Sequence, residues 1–438
     1  MILEDFLRTD AEKYSSKVAA ICGEQAMTYE ELYNAVLQRS RDFSHKKGKA
    51  VIFPTTQSID FLITYFAIHL AGAVAVPLEQ QIPEERKLDI LSIAEKDELP
   101  EGAADILFTT GTTGKSKGVI ISHSTIIAEA ENLSLAQGFD KDTVFIICGP
   151  LNHIGCLSKV FPIIMQGGTL LILEGMKDLN AFFNALEYPS DKLATFLVPA
   201  NIRILCTLGA KRLKEYSHKL DFIETGAAPM MHADMLKICE LLPTTRMYNT
   251  YASTETGIIA TFNYNVEGKK RCMEGCLGKA MKNSHFEITP KGTIACKGKT
   301  LMMGYAGDKE LSRQVLHDNT VYTSDMGRID EDGMIHMLGR EDDVINTGGL
   351  KVAPTEVESI ALELPEIEDC ICIAATHPIM GVVPKLLIVQ KADCLLDKKK
   401  IANHLASKLE RYKVPFYYEV TDKIARTYNG KINRKFYR

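Results

Sequence analysis

The feature that most constrains this 438-residue chain is a regular alternation of short apolar runs with longer amphipathic stretches between residues 50 and 250. Short apolar runs predict buried strands, and the amphipathic stretches between them predict helices. Strands are expected at residues 50–53, 73–77, 143–148, 169–173, 194–198 and 246–248, and helices at residues 124–137, 178–186 and 231–242. This alternation predicts an α/β fold in which helices cover stacked parallel sheets.

The pattern changes after Gly257. Short β-like pieces at residues 258–263, 285–289 and 293–297 are joined by glycine and proline turns, which predicts a small β-barrel-like sheet. A charged run at residues 340–344 then precedes a stretch with its own α+β pattern. We therefore expect a large N-terminal domain over residues 1–341 and a small, mobile C-terminal domain over residues 342–438.

Composition excludes several classes of protein. The 51 basic and 56 acidic residues give a net charge of −5, so no nucleic-acid partner is expected. The 11 cysteines lack CxxC pairs and are predicted to be reduced core residues. The longest apolar stretch, residues 61–76, contains His69 and is shorter than the roughly 20 apolar residues that cross a bilayer. Because no secretory signal is visible at the N-terminus, we expect a cytoplasmic protein.

A loop rich in glycine and threonine, residues 109–118, lies between two predicted strands and suits a phosphate ligand. Glycines allow backbone N–H groups to approach an anion, while hydroxyl and lysine side chains add donors and charge. It is not a Walker A loop, because the first glycine that this motif requires is replaced by Thr109. A solvated hairpin turn is the alternative for such a loop taken alone.

Four further segments follow in order. They are Gly226-Ala227-Ala228-Pro229, Tyr251-Ala252-Ser253-Thr254-Glu255, a stretch that runs from Tyr322-Thr323-Ser324-Asp325 to Gly339-Arg340-Glu341-Asp342-Asp343, and Arg426-Thr427-Tyr428-Asn429-Gly430-Lys431. With the threonine-rich loop, this set resembles the adenylate-forming superfamily, which includes AMP-dependent acyl-CoA and aryl-CoA synthetases. The resemblance extends from about Thr28 to Lys431.

The resemblance implies a role for each nucleotide-binding position. The β- and γ-phosphates would contact Thr109, Thr110, Gly111, Thr112, Thr113, Gly114 and Lys117. Adenine would lie against Gly226, Ala227, Ala228 and Tyr251, and the ribose hydroxyls would bind Asp325 with support from Arg340. Thr254 would meet the α-phosphate, and Glu255 would hold Mg²⁺, which binds phosphate oxygens together with one or two carboxylates.

The remaining implied residues concern the acid and its transfer. Lys431 would bridge the substrate carboxylate and the α-phosphate, and Asp342 would be the hinge about which the C-terminal domain turns. That rotation would bring Gly349 and Lys351 to the pantetheine arm of coenzyme A. His153 would be a gate beside the carboxylate, although a lone histidine is more often a hydrogen-bonded structural residue.

These expectations describe an ATP-dependent carboxylate–CoA ligase, an AMP-forming acid–thiol ligase that uses ATP, Mg²⁺ and coenzyme A on a small carboxylic acid. A role in fatty acid metabolism is one setting for such an enzyme. Two alternatives stay open at this stage. One is a stand-alone adenylation enzyme that loads an acyl or amino acid onto a carrier protein, and the other is a catalytically idle nucleotide-binding module. The sequence leaves the oligomeric state open.

Overall fold

The computed structural model describes residues 1–94, 98–110, 116–228, 230, 232–265, 275–347, 350–392, 394–426 and 432–437. The strands are β1 (Val18–Cys22), β2 (Gln25–Thr28), β3 (Ala50–Pro54), β4 (Val74–Leu78), β5 (Ala103–Thr110), β6 (Ser116–Ser122), β7 (Val144–Ile147), β8 (Thr169–Ile172), β9 (Leu193–Phe196), β10 (Leu220–Thr225), β11 (Arg246–Ser253), β12 (Gly257–Asn263), β13 (Cys276–Ala280), β14 (Ser284–Ile288), β15 (Thr293–Gly298), β16 (Gly304–Tyr305), β17 (Leu316–His317), β18 (Thr320–Ile329), β19 (Ile335–Arg340), β20 (Ile345–Thr347), β21 (Leu350–Val352), β22 (Ile367–His377), β23 (Gly381–Gln390) and β24 (Tyr417–Val420).

The helices are α1 (Leu3–Lys13), α2 (Tyr29–Ser40), α3 (Ile59–Leu70), α4 (Glu84–Ala94), α5 (His123–Gln137), α6 (Ile154–Gln166), α7 (Leu179–Ala185), α8 (Pro199–Leu208), α9 (Ala210–Glu215), α10 (His232–Leu241), α11 (Lys309–Val315), α12 (Pro354–Ala361) and α13 (Lys398–Ala406). Local chemistry sets several of their ends. The Ser122 hydroxyl accepts from the N–H of Thr125 at the start of α5, and Gly138 ends that helix in the left-handed conformation with φ of 75°.

The described residues form one large mixed sheet, with the order β14-β15-β18-β19-β13-β12-β11-β10-β9-β7-β8-β1-β2. The block from β11 through β10, β9 and β7 to β8 is parallel. The β-rich strands after Gly257 continue from it, because β12 pairs antiparallel with both β11 and β13. The predicted α/β class is confirmed, and the predicted smaller sheet is an extension of the large one.

A second sheet has the order β16-β6-β5-β4-β3. Its strands β5 and β6 form an antiparallel hairpin from the Ala103–Ser122 pair to the Thr110–Ser116 pair. The segment at the tip, residues 111–115, lies outside the described residues. The two ends of the predicted phosphate loop are therefore held at the end of a paired hairpin.

The C-terminal part has its own sheet, β22-β23-β24, covered by α12 and α13. Its core includes Val357, Cys372, Leu386 and Leu405. The last predicted helix, residues 399–411, is shorter than expected. It ends at Ala406, where the Ser407 N–H makes the last bonds to the helix and the chain then turns.

Two predictions from composition can be compared with the structure. All the described cysteines are free thiols, and most are buried, which agrees with their prediction as core residues. Within the described ranges, no helix combines the length and the apolar character that a membrane span requires.

Candidate active site

The predicted site residues His153, Gly226 and Thr254 follow strands β7, β10 and β11 at one edge of the large sheet, where its parallel strands end. The connections after β7, β9 and β10 leave the sheet at this edge, as does the turn that follows β11. In open α/β sheets, ligands bind in the crevice outside the carboxyl ends of the strands. The topology therefore brings together segments that are up to about a hundred residues apart in sequence.

The predicted adenine and ribose residues are in direct contact. The Tyr251 hydroxyl donates to Asp325 Oδ2 over 2.8 Å, and Arg340 Nε lies 3.6 Å from Asp325 Oδ1. Asp325 and Arg340 are directly paired across β18 and β19, and Arg340 also donates to the Ser324 hydroxyl. Burial, together with the Asp325 carboxylate, holds the pKa of Tyr251 well above its ordinary value, so that the phenol stays protonated as a donor.

Glu255 is joined to the phosphate-loop hairpin through a residue that the sequence did not single out. The Tyr305 hydroxyl donates to Glu255 Oε1 over 3.0 Å, and the Lys117 ammonium lies 5.6 Å from the centre of the Tyr305 ring. Tyr305 arrives there because β16 pairs with β6, where it lies opposite Val119. No local motif marks Tyr305, so it could not be chosen from the sequence.

The other phosphate-loop residues are distributed between the two hairpin strands. Thr109 is half-buried near the end of β5 and is paired with Lys117 on β6. Thr110 is the last residue of β5. The predicted contacts Gly111, Thr112, Thr113 and Gly114 lie outside the described residues. The hairpin thus places Thr109 and Lys117 side by side at the base of the predicted loop.

The segment after β10 has a constrained backbone. A Cβ atom at Gly226 would lie 2.9 Å from the Thr250 carbonyl oxygen, so the close approach of β10 to β11 requires glycine there. Ala227 has a φ of 65°, in the left-handed region that non-glycine residues rarely occupy. Ala228 follows it half-buried, and Thr254 lies half-buried in the turn after β11. Strain of this kind clusters at ligand sites.

His153 immediately precedes α6. Its backbone is extended, and its carbonyl accepts from the N–H groups of Cys156 and Leu157. Its side chain is half-buried at the same sheet edge, because α6 follows the connection from the end of β7. This position agrees with a group beside the acid but leaves the predicted gating role untested.

An aromatic ring near Gly155 and Gly226 covers a buried ion pair. The Phe196 ring lies 3.2 Å from where a Cβ atom of Gly155 would be and 3.6 Å from that of Gly226. Beneath the ring, Lys159 Nζ is 2.8 Å from Glu224 Oε1, and both side chains are 1% exposed. Phe196, Lys159 and Glu224 were not predicted as site residues. A lysine in the apolar helix 154–166 was the one available indication.

A second carboxyl group is buried close to this pair. Both oxygens of Glu129 on α5 are buried without a hydrogen-bond partner among the described residues. Burial raises the pKa of Glu129 to about 8, against an opposing effect of Lys159. The carboxyl group is therefore predominantly protonated at neutral pH, and Glu224 remains as the counterion of Lys159.

The predicted hinge region is anchored to both parts of the chain. Asp342 lies in a short 3₁₀ turn between β19 and β20, 3.8 Å from Arg340. Next to it, Arg434 binds Glu358 through both terminal nitrogens, at 2.9 and 2.7 Å, and lies 3.4 Å from Asp343. Lys351 is exposed on β21, whereas Gly349 and Lys431 lie outside the described residues.

Two family models match the chain. The model described as AMP-binding enzyme matches residues 7–96 and 92–306, and the model described as AMP-binding enzyme C-terminal domain matches residues 356–431. Among curated relatives, a 2-succinylbenzoate–CoA ligase from Staphylococcus epidermidis is 24% identical and aligns over 98% of this chain and 96% of its own. One from Bacillus cereus is 25% identical, over 90% and 89% respectively.

Solved structures share the fold. ATP-bound MatB from Rhodopseudomonas palustris superposes with a TM-score of 0.89 at 21% identity, covering 100% of this chain and 98% of its own. The o-succinylbenzoate CoA synthetase MenE from Bacillus subtilis, in complex with the acyl-adenylate intermediate, has a TM-score of 0.84 at 22% identity, covering 98% and 97%. These likenesses show that the chain has the fold of both structures.

Proposed function

Because the chain belongs to the family of AMP-binding enzymes, we propose that it is an ATP-dependent carboxylate–CoA ligase. In the first half-reaction, a carboxylate oxygen of the acid attacks the α-phosphorus of ATP, and pyrophosphate leaves. In the second, the thiolate of coenzyme A attacks the acyl carbonyl, and AMP leaves. The family resemblance predicted from the sequence is confirmed, and the reaction follows from the chemistry of the site.

One observation carries the proposal most directly. Tyr251, Asp325 and Arg340 come from three strands and are in contact, and Glu255, four residues after Tyr251, is linked through Tyr305 to Lys117 of the phosphate-loop hairpin. An ionised Asp325 is an acceptor suited to two ribose hydroxyls. Transfer of the AMP group of ATP to a carboxylate depends on positioning and on stabilisation of spread negative charge, which Thr109, Lys117 and backbone N–H groups would supply.

The donor set also fits Mg²⁺. The Glu255 carboxylate is half-buried, accepts one hydrogen bond from Tyr305, and has no ion pair with a lysine or arginine among the described residues. Mg²⁺ prefers oxygen ligands and commonly uses one or two carboxylates together with substrate phosphates. When bound, it would neutralise phosphate charge. Glu255 is the residue that would hold it, with Thr254 oriented by the same turn.

The acyl side favours an acid with a compact apolar body. The Phe196 ring lies against Gly155, two residues after His153, and against Gly226, and it covers the buried Lys159–Glu224 pair. Neutral apolar walls suit an aryl or short acyl group. Since curated relatives are named 2-succinylbenzoate–CoA ligases, that acid is the first to test. The fatty acid setting and the cytoplasmic location stay predictions.

The domain boundary is also part of the proposal. Residues 342–438 would turn about Asp342 between the half-reactions, withdrawing Lys431 and bringing Gly349 and Lys351 to the thiol. Thr355 Oγ1 donates to the Leu338 carbonyl over 3.3 Å, and Arg340 lies 3.8 Å from Asp342. Both contacts are exposed, and exposed contacts of this kind are individually weak.

The test is a panel of carboxylic acids, headed by 2-succinylbenzoate, assayed for pyrophosphate release with and without coenzyme A. We expect acid-dependent pyrophosphate in both cases and a thioester only with coenzyme A. Lys431→Ala should abolish most adenylation, while Gly349→Leu should keep adenylation and lose thioester formation.

Lys435→Ala, at an exposed lysine of the same tail, is the matched control and should leave both steps unchanged. If pyrophosphate is released but a thioester forms only on the phosphopantetheine arm of a carrier protein, that protein is the acyl acceptor in place of coenzyme A. No acid-dependent pyrophosphate from any acid would contradict the proposal.

A further inference from the structure

A second group of buried titratable side chains lies at the base of the β5–β6 hairpin, far from its phosphate-binding tip. His69 on α3 is at its centre. Its Nδ1 lies 2.9 Å from Glu4 Oε1 on α1, and its Nε2 lies 3.0 Å from Asp105 Oδ1 on β5. All three residues are at most 2% exposed, and the Tyr65 hydroxyl donates to the other oxygen of Asp105 over 2.9 Å.

His123, the first residue of α5, completes the group. Its ring packs edge-on against that of His69 with 4.9 Å between the ring centres. One possible ligand atom from each of Glu4, His69 and His123 lies within 4.8 Å of the other two. Four separate elements, α1, α3, β5 and α5, therefore direct nitrogen and carboxylate groups into one small volume.

The group is incompletely satisfied. Glu4 Oε2 and His123 Nδ1 are both buried and lack a hydrogen-bond partner among the described residues. Two carboxylates share a single imidazole, and in the described part of the chain neither forms an ion pair with a lysine or arginine. Even a positively charged His69 would leave one net negative charge, which is costly in a buried environment.

We propose that Glu4, His69 and His123 bind a divalent first-row transition-metal cation of the Zn²⁺ type. Two imidazoles and one carboxylate form a ligand set that Zn²⁺ uses in proteins, and imidazole suits Zn²⁺, Fe²⁺ and Ni²⁺ better than Mg²⁺. A dication with two carboxylates and neutral imidazoles brings the net charge of the group to zero. Glu4 and His123 gain a partner for the atoms that lack one.

The surrounding contacts are those of a metal site. A histidine that binds a metal through one nitrogen usually donates its other ring N–H to a carboxylate. Here Asp105 accepts from His69 Nε2 and is itself held by Tyr65. The cation would tie α1, α3 and α5 to the hairpin base, several residues from the nucleotide. Its role is structural and separate from the Mg²⁺ at Glu255.

The experiment uses the untagged full chain, treated with chelator and then titrated with Zn²⁺ alone. We expect one equivalent of bound zinc by elemental analysis and a Tm rise of at least about 2 °C at saturating zinc. Substituted Co²⁺ should give visible d–d bands without thiolate charge transfer. Glu4→Gln and His123→Ala should each lose the zinc and the Tm rise, whereas His218→Ala, at an exposed histidine, should keep both.

Three results would overturn the site. Wild-type protein that binds no zinc and shows no Tm rise would mean that a proton occupies the gap between Glu4 and His69. Retention of the metal by both Glu4→Gln and His123→Ala would place it elsewhere, as would thiolate bands in the Co²⁺ spectrum. The wild-type titration decides the matter even if His123→Ala does not fold, and none of these results affects the proposed ligase activity.

Discussion

The nucleotide side and the acyl side of the site are built differently. On the nucleotide side, polar groups from different strands of the large sheet hydrogen-bond to one another, as the buried Tyr251 on β11 does with the half-buried Asp325 on β18. On the acyl side, Phe196 packs between two glycines above the fully buried Lys159–Glu224 pair. The first side depends on local polar geometry and the second on the packing of distant elements. Substitutions on the two sides should therefore have different effects on stability and on catalysis.

The largest expected effect is on stability, at the buried pair. Lys159→Met should lower the free energy of unfolding by about 3–5 kcal/mol, because it leaves the Glu224 carboxylate buried without its partner. Urea denaturation followed by circular dichroism measures it. The double variant Lys159→Met with Glu224→Gln should recover much of the loss.

The matched control is an exposed pair. Lys297 and Glu287 lie 3.1 Å apart with side chains 43% and 46% exposed, so Lys297→Met should change stability by no more than about 1 kcal/mol. A similar loss of stability in Lys159→Met and Lys297→Met would show that burial of the Lys159–Glu224 pair contributes little. That result would contradict the proposed difference between the acyl side and the nucleotide side.

The second effect is on catalysis, at the nucleotide side. Asp325→Ala should lower kcat/KM for ATP in pyrophosphate release by about 100- to 1000-fold, because the ribose loses its acceptor and Tyr251 loses its partner. Steady-state kinetics at saturating acid measures it. Asp325→Asn, which keeps the shape, should lose less. An unchanged KM for ATP with a raised KM for the acid would contradict the assignment.

The third effect tests the buried carboxyl group near the ion pair through pH. The pKa of Glu129 is raised to about 8 in the folded chain, so between pH 4.5 and 8 the folded state binds a proton that the unfolded state has released. Its contribution to stability is therefore fully present below pH 4.5 and is lost as the pH rises towards 8. Glu129→Gln should raise the Tm at pH 8 by more than it does at pH 5. An equal Tm shift at pH 5 and pH 8 would show that the pKa of the Glu129 carboxyl group is not raised by burial.

The smallest effect should distinguish the substrates. Gly155→Ala places a methyl group 3.2 Å from the Phe196 ring, so the KM for a bulky aryl acid should rise by about 10-fold while the KM for ATP stays the same. A short aliphatic acid should be affected less. If the KM for ATP rises instead, Gly155 belongs to the nucleotide side.

The same contrast explains what the sequence could predict. Strand β8 and helix α5 were located within a residue or two, because apolar runs and caps are local features. Asp325 and Arg340 were both predicted to bind the ribose, and they are paired across the β18–β19 hairpin. Their motifs consist of consecutive residues with distinctive side chains. Local patterns of this kind define most of the nucleotide side.

The acyl side, and some contacts elsewhere in the chain, could not be predicted in this way. Lys159 and Glu224 lie 65 residues apart, and only the packing of α6 on β10 brings them together. Tyr305 reaches Glu255 through the pairing of the two-residue strand β16 with β6. Arg434 could pass for a solvated residue of the tail, yet it is bound to the buried Glu358. Each depends on long-range contacts that leave no periodic pattern in the chain.

The central claim is that the acid captures the AMP moiety of ATP, and an isotope measurement tests it most directly. A substrate acid labelled with ¹⁸O in both carboxylate oxygens is converted in the presence of ATP and coenzyme A, and the masses of AMP and pyrophosphate are measured by mass spectrometry. We predict that AMP gains one labelled oxygen and that pyrophosphate gains none. Label in inorganic phosphate or pyrophosphate, or thioester formation with unlabelled AMP, would contradict the account.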